Sequence, residues 1–304
     1  MPVAALILTE SRARVARRFL GLGQPGIRKR IPALAALAAV PCLLAVGLAQ
    51  PIVRYTGADR VRVDTEAYYF FDVSRSMLAR SSRNGLSRLD RAKSIAERVH
   101  DRLTNLPSGV GTLTDRVLPS LFPTGNDEVF TATVERTLGI EEPPPRGYDP
   151  VGTLFAAFDT LGSGTFYRQG VRHRLAIVLT DGESRPFDVA DLRETLALGP
   201  RVTFLIIRVG NANERVYSAD GTPEKGYVAD RSRTVRTAQL ARATAGKVFA
   251  EGDLNGVVTA VRRSIGSGVE VEQGRTLRVV SLGSWFVLAA LAPLGFLLWR
   301  RNLV

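Results

Sequence analysis

The sequence YYFFDVSRSMLA, Tyr68–Ala79, decides the fold of this chain. It begins with four consecutive aromatic residues, a composition that favours a β-strand. Because the run shows no polar alternation, it indicates a strand buried on both faces, as in a parallel sheet covered by helices. Asp72 follows directly, and Ser74 and Ser76 then place two hydroxyl groups at alternate positions. A carboxylate and two hydroxyls in one tight loop can turn toward one point, so the sequence predicts a site at this strand end.

Strand-like and helix-like segments alternate along the chain after this stretch. Helical spacing of apolar residues occurs at 88–103, 126–138, 151–161, 189–198, 234–244 and 253–265. Apolar runs typical of strands occur at 109–122, 174–180, 201–209 and 247–250. This order predicts an α/β fold with a doubly wound, mainly parallel sheet. Ligands of such sheets bind where the carboxyl ends of neighbouring strands meet.

A second polar element, TDGES (Thr180–Ser184), follows the later strand RLAIVLT. Its Asp181 can reach the same point as Asp72 from a neighbouring strand end. Carboxylates and hydroxyls together form an oxygen-only site, which suits a hard divalent cation, Mg²⁺ first and Mn²⁺ or Ca²⁺ as alternatives, whereas zinc favours His or Cys. The two histidines, His100 and His173, are expected to face solvent or cap a surface, with no role in metal binding.

With these two elements in this order, the chain resembles the von Willebrand factor A (VWA) domain family. The resemblance rests on DVSRSM after an aromatic strand, on TDGE after an aliphatic strand, and on the alternation of strands and helices over residues 66–266. It implies a Rossmann-like fold with a metal-ion-dependent adhesion site (MIDAS). In that site Ser74 and Ser76 would coordinate the ion directly, and Asp72 and Asp181 would act directly or through water.

The family pattern has a third loop, in which a Thr ligand precedes a Gly by three residues and a helix follows. The matching stretch here is YDPVGTLFAAF, where Gly152 sets the register and Asp149 takes the place of the Thr. Thr153 is close enough to compete. Both residues therefore stay candidate ligands, with Asp149 preferred.

Two charge-free apolar runs flank the region that resembles the family. The first, Ile31–Val53, has 23 residues, enough for a helix about 34 Å long against a hydrocarbon core of about 30 Å. The second, Val279–Trp299, has 21 residues and tryptophans near both ends, where interfacial aromatic residues are expected. Both runs predict transmembrane helices. A cleaved signal peptide is the alternative for the first.

The formal net charge of +12 does not indicate nucleic-acid binding, because much of the basic excess flanks the apolar runs. Residues 1–30 carry seven basic side chains against one acidic side chain. This bias predicts a two-span protein of the plasma membrane with both termini in the cytoplasm and the VWA domain outside it. The predicted segments are a basic N-terminal segment (1–30), a transmembrane helix (31–53), a linker (54–65), the VWA domain (66–266), a linker (267–278), a transmembrane helix (279–299) and a cytoplasmic tail (300–304).

These features predict a membrane-anchored VWA protein that binds a protein partner with the help of a divalent cation, in adhesion, assembly or scaffolding of the cell envelope. The chain resembles the bacterial Bat-type group, which implies a link to a MoxR-type ATPase system or to other subunits of a membrane complex. The loop ADGTPEKG and the arginine-rich RSRTVRTAQLAR are expected to be solvated faces without chemistry.

Two alternative functions stay open at the level of sequence. A Mg²⁺-dependent haloacid-dehalogenase-like phosphohydrolase would use Asp72 as a nucleophile, but it needs a second acid where this chain has Ser74. No enzymatic activity is therefore predicted. The other alternative is a metal-independent structural VWA subunit of a membrane complex, in which Arg75 could take the place of the ion.

Overall fold

The computed structural model describes residues 27–147, 152–218 and 220–302. Contacts among them divide the chain into two compact units. One unit holds the described residues up to Gly57 together with those from Thr276 onward, and the other, here called the domain, is Ala58–Arg275.

Strands and helices alternate along the described residues, and within the domain they follow the order that the sequence predicts. The strands are β1 (Ile52–Arg62), β2 (Thr65–Asp72), β3 (Ser108–Leu113), β4 (Val117–Thr124), β5 (His173–Thr180), β6 (Val202–Arg208), β7 (Lys247–Ala250) and β8 (Glu270–Ser281). The α-helices are α1 (Ile27–Leu48), α2 (Arg88–Asp101), α3 (Asp127–Thr137), α4 (Val189–Ala197), α5 (Arg233–Thr244), α6 (Leu254–Ile265) and α7 (Gly283–Asn302). Short 3₁₀ helices lie at Arg75–Leu78 and Phe155–Ser163.

Strand β2 lies inside a six-stranded sheet with the order β4-β3-β2-β5-β6-β7. It pairs in parallel with β3 on one side and with β5 on the other, so that Tyr69 lies opposite Val110 and Ile177. Strand β4 runs antiparallel to β3 at one edge. The chain leaves β2 first toward β3 and later returns to its other side at β5, so the carboxyl ends of β2 and β5 border a crevice. The predicted doubly wound, mainly parallel α/β sheet is confirmed.

The four aromatic residues that open the quoted stretch explain why β2 lies inside the sheet. Each of them is fully buried. Because side chains alternate across a strand, Tyr69 and Phe71 belong to the core that contains α2, α3 and α6. Tyr68 and Phe70 belong to the core on the other face, with α4, α5 and the 3₁₀ helix Phe155–Ser163. One aromatic strand thus fills both layers.

A capping box fixes the start of α2. The Ser87 hydroxyl accepts a hydrogen bond from the Asp90 backbone N–H, and the Asp90 carboxylate accepts one from the Ser87 backbone N–H, each at 3.1 Å. Two N–H groups that the first turn cannot pair internally are satisfied in this way. The box makes Arg88 the first residue of the helix, at the end of the domain where β2 ends.

His100 is buried, so the expectation that it faces solvent is wrong. Its side chain is 5% exposed, and its ring stacks on Phe130 with the centroids 4.0 Å apart. The ring nitrogens lie 3.1 Å from Ser108 Oγ and from Asp127 Oδ1. Burial lowers the pKa of His100, and the Asp127 charge opposes that shift. The helical spacing of α2 places this residue on the core face.

Helices α1 and α7 belong to the other unit. Windows of 18 residues within them, Ile31–Leu48 and Gly283–Arg300, have mean hydropathies of 2.3 and 1.4, with 11% of each window buried. Both helices are long and apolar enough to cross a membrane. They approach closely at two glycines, because a Cβ on Gly283 would lie 2.9 Å from the carbonyl oxygen of Gly47.

The segments predicted as linkers contain regular structure. Strands β1 and β8 pair with each other as a two-stranded sheet and account for most of residues 54–65 and 267–278. The predicted helix near 151–161 takes the form of the 3₁₀ helix Phe155–Ser163.

Candidate metal centre

Asp72 ends β2 and is fully buried. Its Oδ1 atom accepts hydrogen bonds from the backbone N–H and the hydroxyl of Ser74, at 3.0 and 2.6 Å. Its Oδ2 atom accepts one from the Thr180 hydroxyl of β5, at 2.7 Å. The carboxylate is therefore held from two sides, by the loop that follows its own strand and by the end of the neighbouring strand.

Two further hydroxyl contacts complete a cluster around this carboxylate, here called the hydroxyl cluster, of Asp72, Ser74, Ser76 and Thr153. Ser74 Oγ and Ser76 Oγ lie 3.0 Å apart. Thr153 Oγ1 donates a hydrogen bond to Asp72 Oδ1 at 2.9 Å. All four side chains are buried. The D-x-S-x-S residues and one of the two third-loop candidates thus meet at one place.

Backbone hydrogen bonds hold the loop of Thr153 from two directions. The Thr153 carbonyl oxygen accepts a hydrogen bond from the Arg185 N–H, and the Leu154 N–H donates one to the Thr114 carbonyl oxygen, both at 2.9 Å. Asp149, the preferred third-loop candidate, lies outside the described residues. The structure therefore places Thr153 in the hydroxyl cluster and leaves the role of Asp149 as a prediction.

Asp181 follows β5 and is also fully buried. Its Oδ1 atom accepts a hydrogen bond from the Glu183 N–H at 2.9 Å, and its Oδ2 atom accepts one from Arg88 Nη1 at 2.7 Å. The turn between these residues requires glycine, because Gly182 has a φ of +87° and a Cβ there would lie 2.4 Å from Thr237 Oγ1. The TDGE turn thus directs Asp181 toward α2.

Arg88 lies in the candidate site, although no sequence pattern indicated it. Its fully buried guanidinium donates from Nη1 to Asp181 and to Glu183 Oε1 (3.0 Å), and from Nε to Glu214 Oε2 (2.7 Å). Burial by itself would lower the pKa of Arg88. The surrounding carboxylates, Asp181 first among them, outweigh this effect and raise the pKa above its ordinary value, so the group stays charged. An arginine in the first turn of a helix is unfavourable toward the helix dipole, and a neighbouring anion offsets this cost.

Buried side chains around the site carry more negative than positive charge. The carboxylates are Asp72, Asp181, Glu183 and Glu214, and the guanidinium groups are Arg88 and Arg233. Burial, and then the charge of Asp181, raise the pKa of Asp72 to about 7 and raise the pKa of Glu183 as well. A bound cation would relieve this repulsion and favour the ionised carboxylates.

Arg233 lies in the segment RSRTVRTAQLAR, which was expected to be a solvated face. That expectation is wrong at this residue, because Arg233 is 9% exposed and its Nη1 has no hydrogen-bond partner. Burial, followed by repulsion from Arg88 and Arg208, lowers its pKa. Arg75, between the two serines, instead reaches outward and pairs with Glu224 at 2.5 Å.

The donor set of the hydroxyl cluster fits a hard divalent cation. Its donors are all oxygen atoms, which Mg²⁺ and Ca²⁺ prefer. Within residues 27–147, 152–218 and 220–302, no group of three or more His, Cys, Asp and Glu side chains could hold a metal ion. A cation would therefore depend on the hydroxyls of Ser74, Ser76 and Thr153 together with Asp72. Asp181, which Arg88 binds, would act on the ion directly or through water.

Solved structures with a similar fold include two proteins of Bacteroides species. A conserved hypothetical protein, BatB, from Bacteroides thetaiotaomicron is 20% identical with a TM-score of 0.53, and the match covers 67% of this chain and 100% of that one. An aerotolerance-related membrane protein from Bacteroides fragilis is 21% identical with a TM-score of 0.52, covering 66% of this chain and 98% of that one. A von Willebrand factor type A protein from Catenulispora acidiphila is 16% identical with a TM-score of 0.44, covering 72% of this chain and 51% of that one.

Comparison at the level of sequence adds no relatives. No protein-family model matches the chain, and no curated protein matches it. The likeness to solved structures, at these low identities, concerns the fold. The chain therefore has a Bat-type VWA fold, and the resemblance drawn from DVSRSM and TDGE is confirmed.

Proposed function

We propose that this chain is a membrane-anchored VWA protein that binds a protein partner through a divalent cation, Mg²⁺ first among the candidates. The observation that carries the proposal is the hydroxyl cluster, in which Ser74, Ser76 and Thr153 converge with the buried Asp72 in surroundings of excess negative charge. When bound, the cation would offer a coordination position to an oxygen atom of the partner. The VWA fold supports the same role, because such domains generally mediate contacts between proteins.

The hydrogen bonds and the burial of Asp72 favour a binding role over phosphohydrolase activity. Its two carboxylate oxygens accept four hydrogen bonds, from Ser74, Thr153 and Thr180, and it is fully buried. A carboxylate held in this way is a poor nucleophile. The residue two positions later is Ser74, which cannot act as the carboxylic acid that this enzyme class requires.

Anchoring by α1 and α7 is the second part of the proposal. The apolar windows of both helices and the basic residues that precede the first one support two spans with the domain on the extracytoplasmic side. Trypsin added to right-side-out spheroplasts should then cut the domain while a cytoplasmic marker stays intact. Cleavage only in inverted vesicles would contradict this orientation.

The partner is a protein or another subunit of a membrane complex in this proposal. A link to a MoxR-type ATPase rests on the Bat-type resemblance alone. Since a domain outside the membrane cannot touch a cytoplasmic ATPase, such a link would have to pass through the spans or through the basic N-terminal segment.

Divalent cations should stabilise the domain. We expect Mg²⁺ or Mn²⁺ at about 100 times its dissociation constant to add ~2.7 kcal/mol to the free energy of unfolding. Ser74→Ala removes one hydroxyl donor of the cluster and should abolish most of this gain. Thermal unfolding of the full chain in detergent, followed by circular dichroism with the cation or with EDTA, measures it.

The matched control is Ser94→Ala, which removes an exposed hydroxyl on α2 away from the cluster. It should respond to the cation as the unmodified chain does. If the unmodified chain shows no difference between cation and EDTA, the metal-dependent function fails, and a metal-independent structural subunit becomes the better account.

A further inference from the structure

A cleft opens beside the hydroxyl cluster and has a volume of about 380 Å³. Ser76 of the cluster and Gly152 next to Thr153 both line it. A Cβ on Gly152 would lie 3.5 Å from the Cβ of Ser74, which shows how closely the third loop approaches the D-x-S-x-S loop. A partner that reaches a cation in the cluster would therefore also contact the walls of this cleft.

Two loops form much of the cleft wall. The β5–α4 loop (residues 181–188) contributes Glu183, and the β6–α5 loop (described as residues 209–218 and 220–232) contributes Glu224, Tyr227 and Asp230. On the rim, Arg75 reaches across from the D-x-S-x-S loop to Glu224. The shape of the cleft therefore depends on where the β6–α5 loop lies.

Arg88 joins these two loops below the cleft. Toward the β5–α4 loop it donates to Asp181 and Glu183, as described above. Toward the β6–α5 loop it donates from Nη2 to the Asn211 carbonyl oxygen at 3.1 Å, from Nη1 to the Tyr227 hydroxyl at 3.0 Å and from Nε to Glu214. The Tyr227 hydroxyl in turn donates to Glu183 Oε1 at 2.7 Å. The planar, fully buried guanidinium of Arg88 thus binds both of the loops that line the cleft.

We infer that Arg88 is a positioning residue that couples the proposed cation site to the cleft beside it. This inference rests on the proposed function. A cation in the hydroxyl cluster attracts the Asp181 carboxylate, and Asp181 shares its charge with Arg88. The same guanidinium also binds Asn211, Glu214 and Tyr227. When the cation draws Asp181 away, Arg88 should therefore bind the β6–α5 loop more tightly. Cation binding and the shape of the partner cleft are then linked.

Hydrogen exchange of the full chain in detergent tests this coupling, with Mn²⁺ alone as the probe. In the unmodified chain, Mn²⁺ should slow exchange of amides at 211–218 and 220–227 about tenfold. Arg88→Lys keeps the positive charge but loses the fork of donors, since one ammonium cannot reach Asp181, Glu214 and Asn211 together. In this variant Mn²⁺ should still raise the unfolding midpoint, because all four side chains of the hydroxyl cluster are kept and Arg88 contacts the cluster only at the Ser76 carbonyl oxygen, at 3.3 Å. The slowing of exchange in the β6–α5 loop, here called the loop response, should disappear.

The matched control is Arg91→Lys. Arg91 also pairs with Glu214, at 2.7 Å, but it is partly exposed, and its described contacts include neither Asp181 nor Glu183. Its loop response should equal that of the unmodified chain. A loop response that persists in Arg88→Lys, or one that is absent in the unmodified chain although Mn²⁺ binds, overturns the inference.

A milder variant covers the case in which Arg88→Lys does not fold. Tyr227→Phe removes one hydroxyl from the link and leaves the guanidinium in place, so we expect it to weaken the loop response severalfold. An unchanged response in Tyr227→Phe, with Arg88→Lys unfolded, also counts against the coupling.

The proposed function and this inference fail in different ways. If the unmodified chain binds no Mn²⁺ by titration calorimetry, the proposed function fails. Amide hydrogen exchange measured without metal then tests whether Arg88 links the two loops of the cleft wall. Faster exchange of the β6–α5 loop in Arg88→Lys than in Arg91→Lys supports the link between the two walls, and equal exchange overturns it.

Discussion

Replacing Arg88 with methionine should lower the free energy of unfolding of the domain by about 3–5 kcal/mol. Methionine has a similar length and no charge, so Asp181, Glu183 and Glu214 would stay buried without the guanidinium that pairs with all three. Uncompensated buried carboxylates cost more than the missing hydrogen bonds alone. Urea denaturation of the full chain in detergent, followed by circular dichroism, measures the loss.

The loss in this variant should depend on pH with a defined sign. Burial, and then the charge of Asp181, raise the pKa of Glu183, and Arg88 opposes this shift, so its removal should raise the pKa of Glu183 further. Groups with raised pKa values bind protons in the folded state, so the deficit should shrink as pH falls from 7 toward 5. A deficit that is constant over this range would contradict the charge argument.

Arg91→Met provides the matched control for this variant. Arg91 also pairs with Glu214, but its side chain is 21% exposed and solvent screens the interaction. We therefore expect a loss of at most about 1 kcal/mol. If Arg88→Met and Arg91→Met cost the same, the buried network around Arg88 does not stabilise the domain as proposed.

Phe70→Ala should destabilise the domain by a similar amount, about 3–5 kcal/mol. Phe70 is fully buried and stacks on Tyr68 with the ring centroids 5.3 Å apart. Phe158 and Phe166 meet its ring edge-on, at 5.6 and 5.9 Å. The neighbouring strand β3 packs closely against this ring, because a Cβ on Gly111 would lie 2.6 Å from Phe70 Cδ1. Removing the ring leaves a cavity that these rigid neighbours cannot fill.

The control for Phe70→Ala is Phe122→Ala on strand β4. Phe122 is 61% exposed, so its truncation removes little buried area and should change stability by less than about 1 kcal/mol. Denaturation under the same conditions compares the two variants. Equal losses would show that burial in the aromatic layer is not what stabilises the sheet.

The network around Arg88 also bears on what a cation does for this domain. Asp72 already accepts four hydrogen bonds, and Asp181 already has a charged partner, so both carboxylates have partners without an ion. The domain should therefore fold without metal, unlike small domains whose fold depends on a bound ion. In the proposed function a cation would add stability and offer a contact point for the partner.

Local sequence patterns determined the fold of this protein. The aromatic run of β2 and the alternation of apolar strands with amphipathic helices depend on residues close together in the chain, and they predicted the sheet and its helices. The same holds for the apolar runs that form α1 and α7. DVSRSM and TDGE each follow a strand directly, so the parallel sheet was expected to bring Asp72 and Asp181 to one edge.

Only the tertiary structure revealed the partners of these residues. Arg88 lies 93 residues from Asp181 and 126 from Glu214, and no periodicity connects such positions. Thr153 donates to Asp72 from 81 residues away because its loop is held by the β3–β4 turn and by the β5–α4 loop. Hydrophobic periodicity records which face of an element is buried, whereas the pairing of buried charges depends on how the loops close in space.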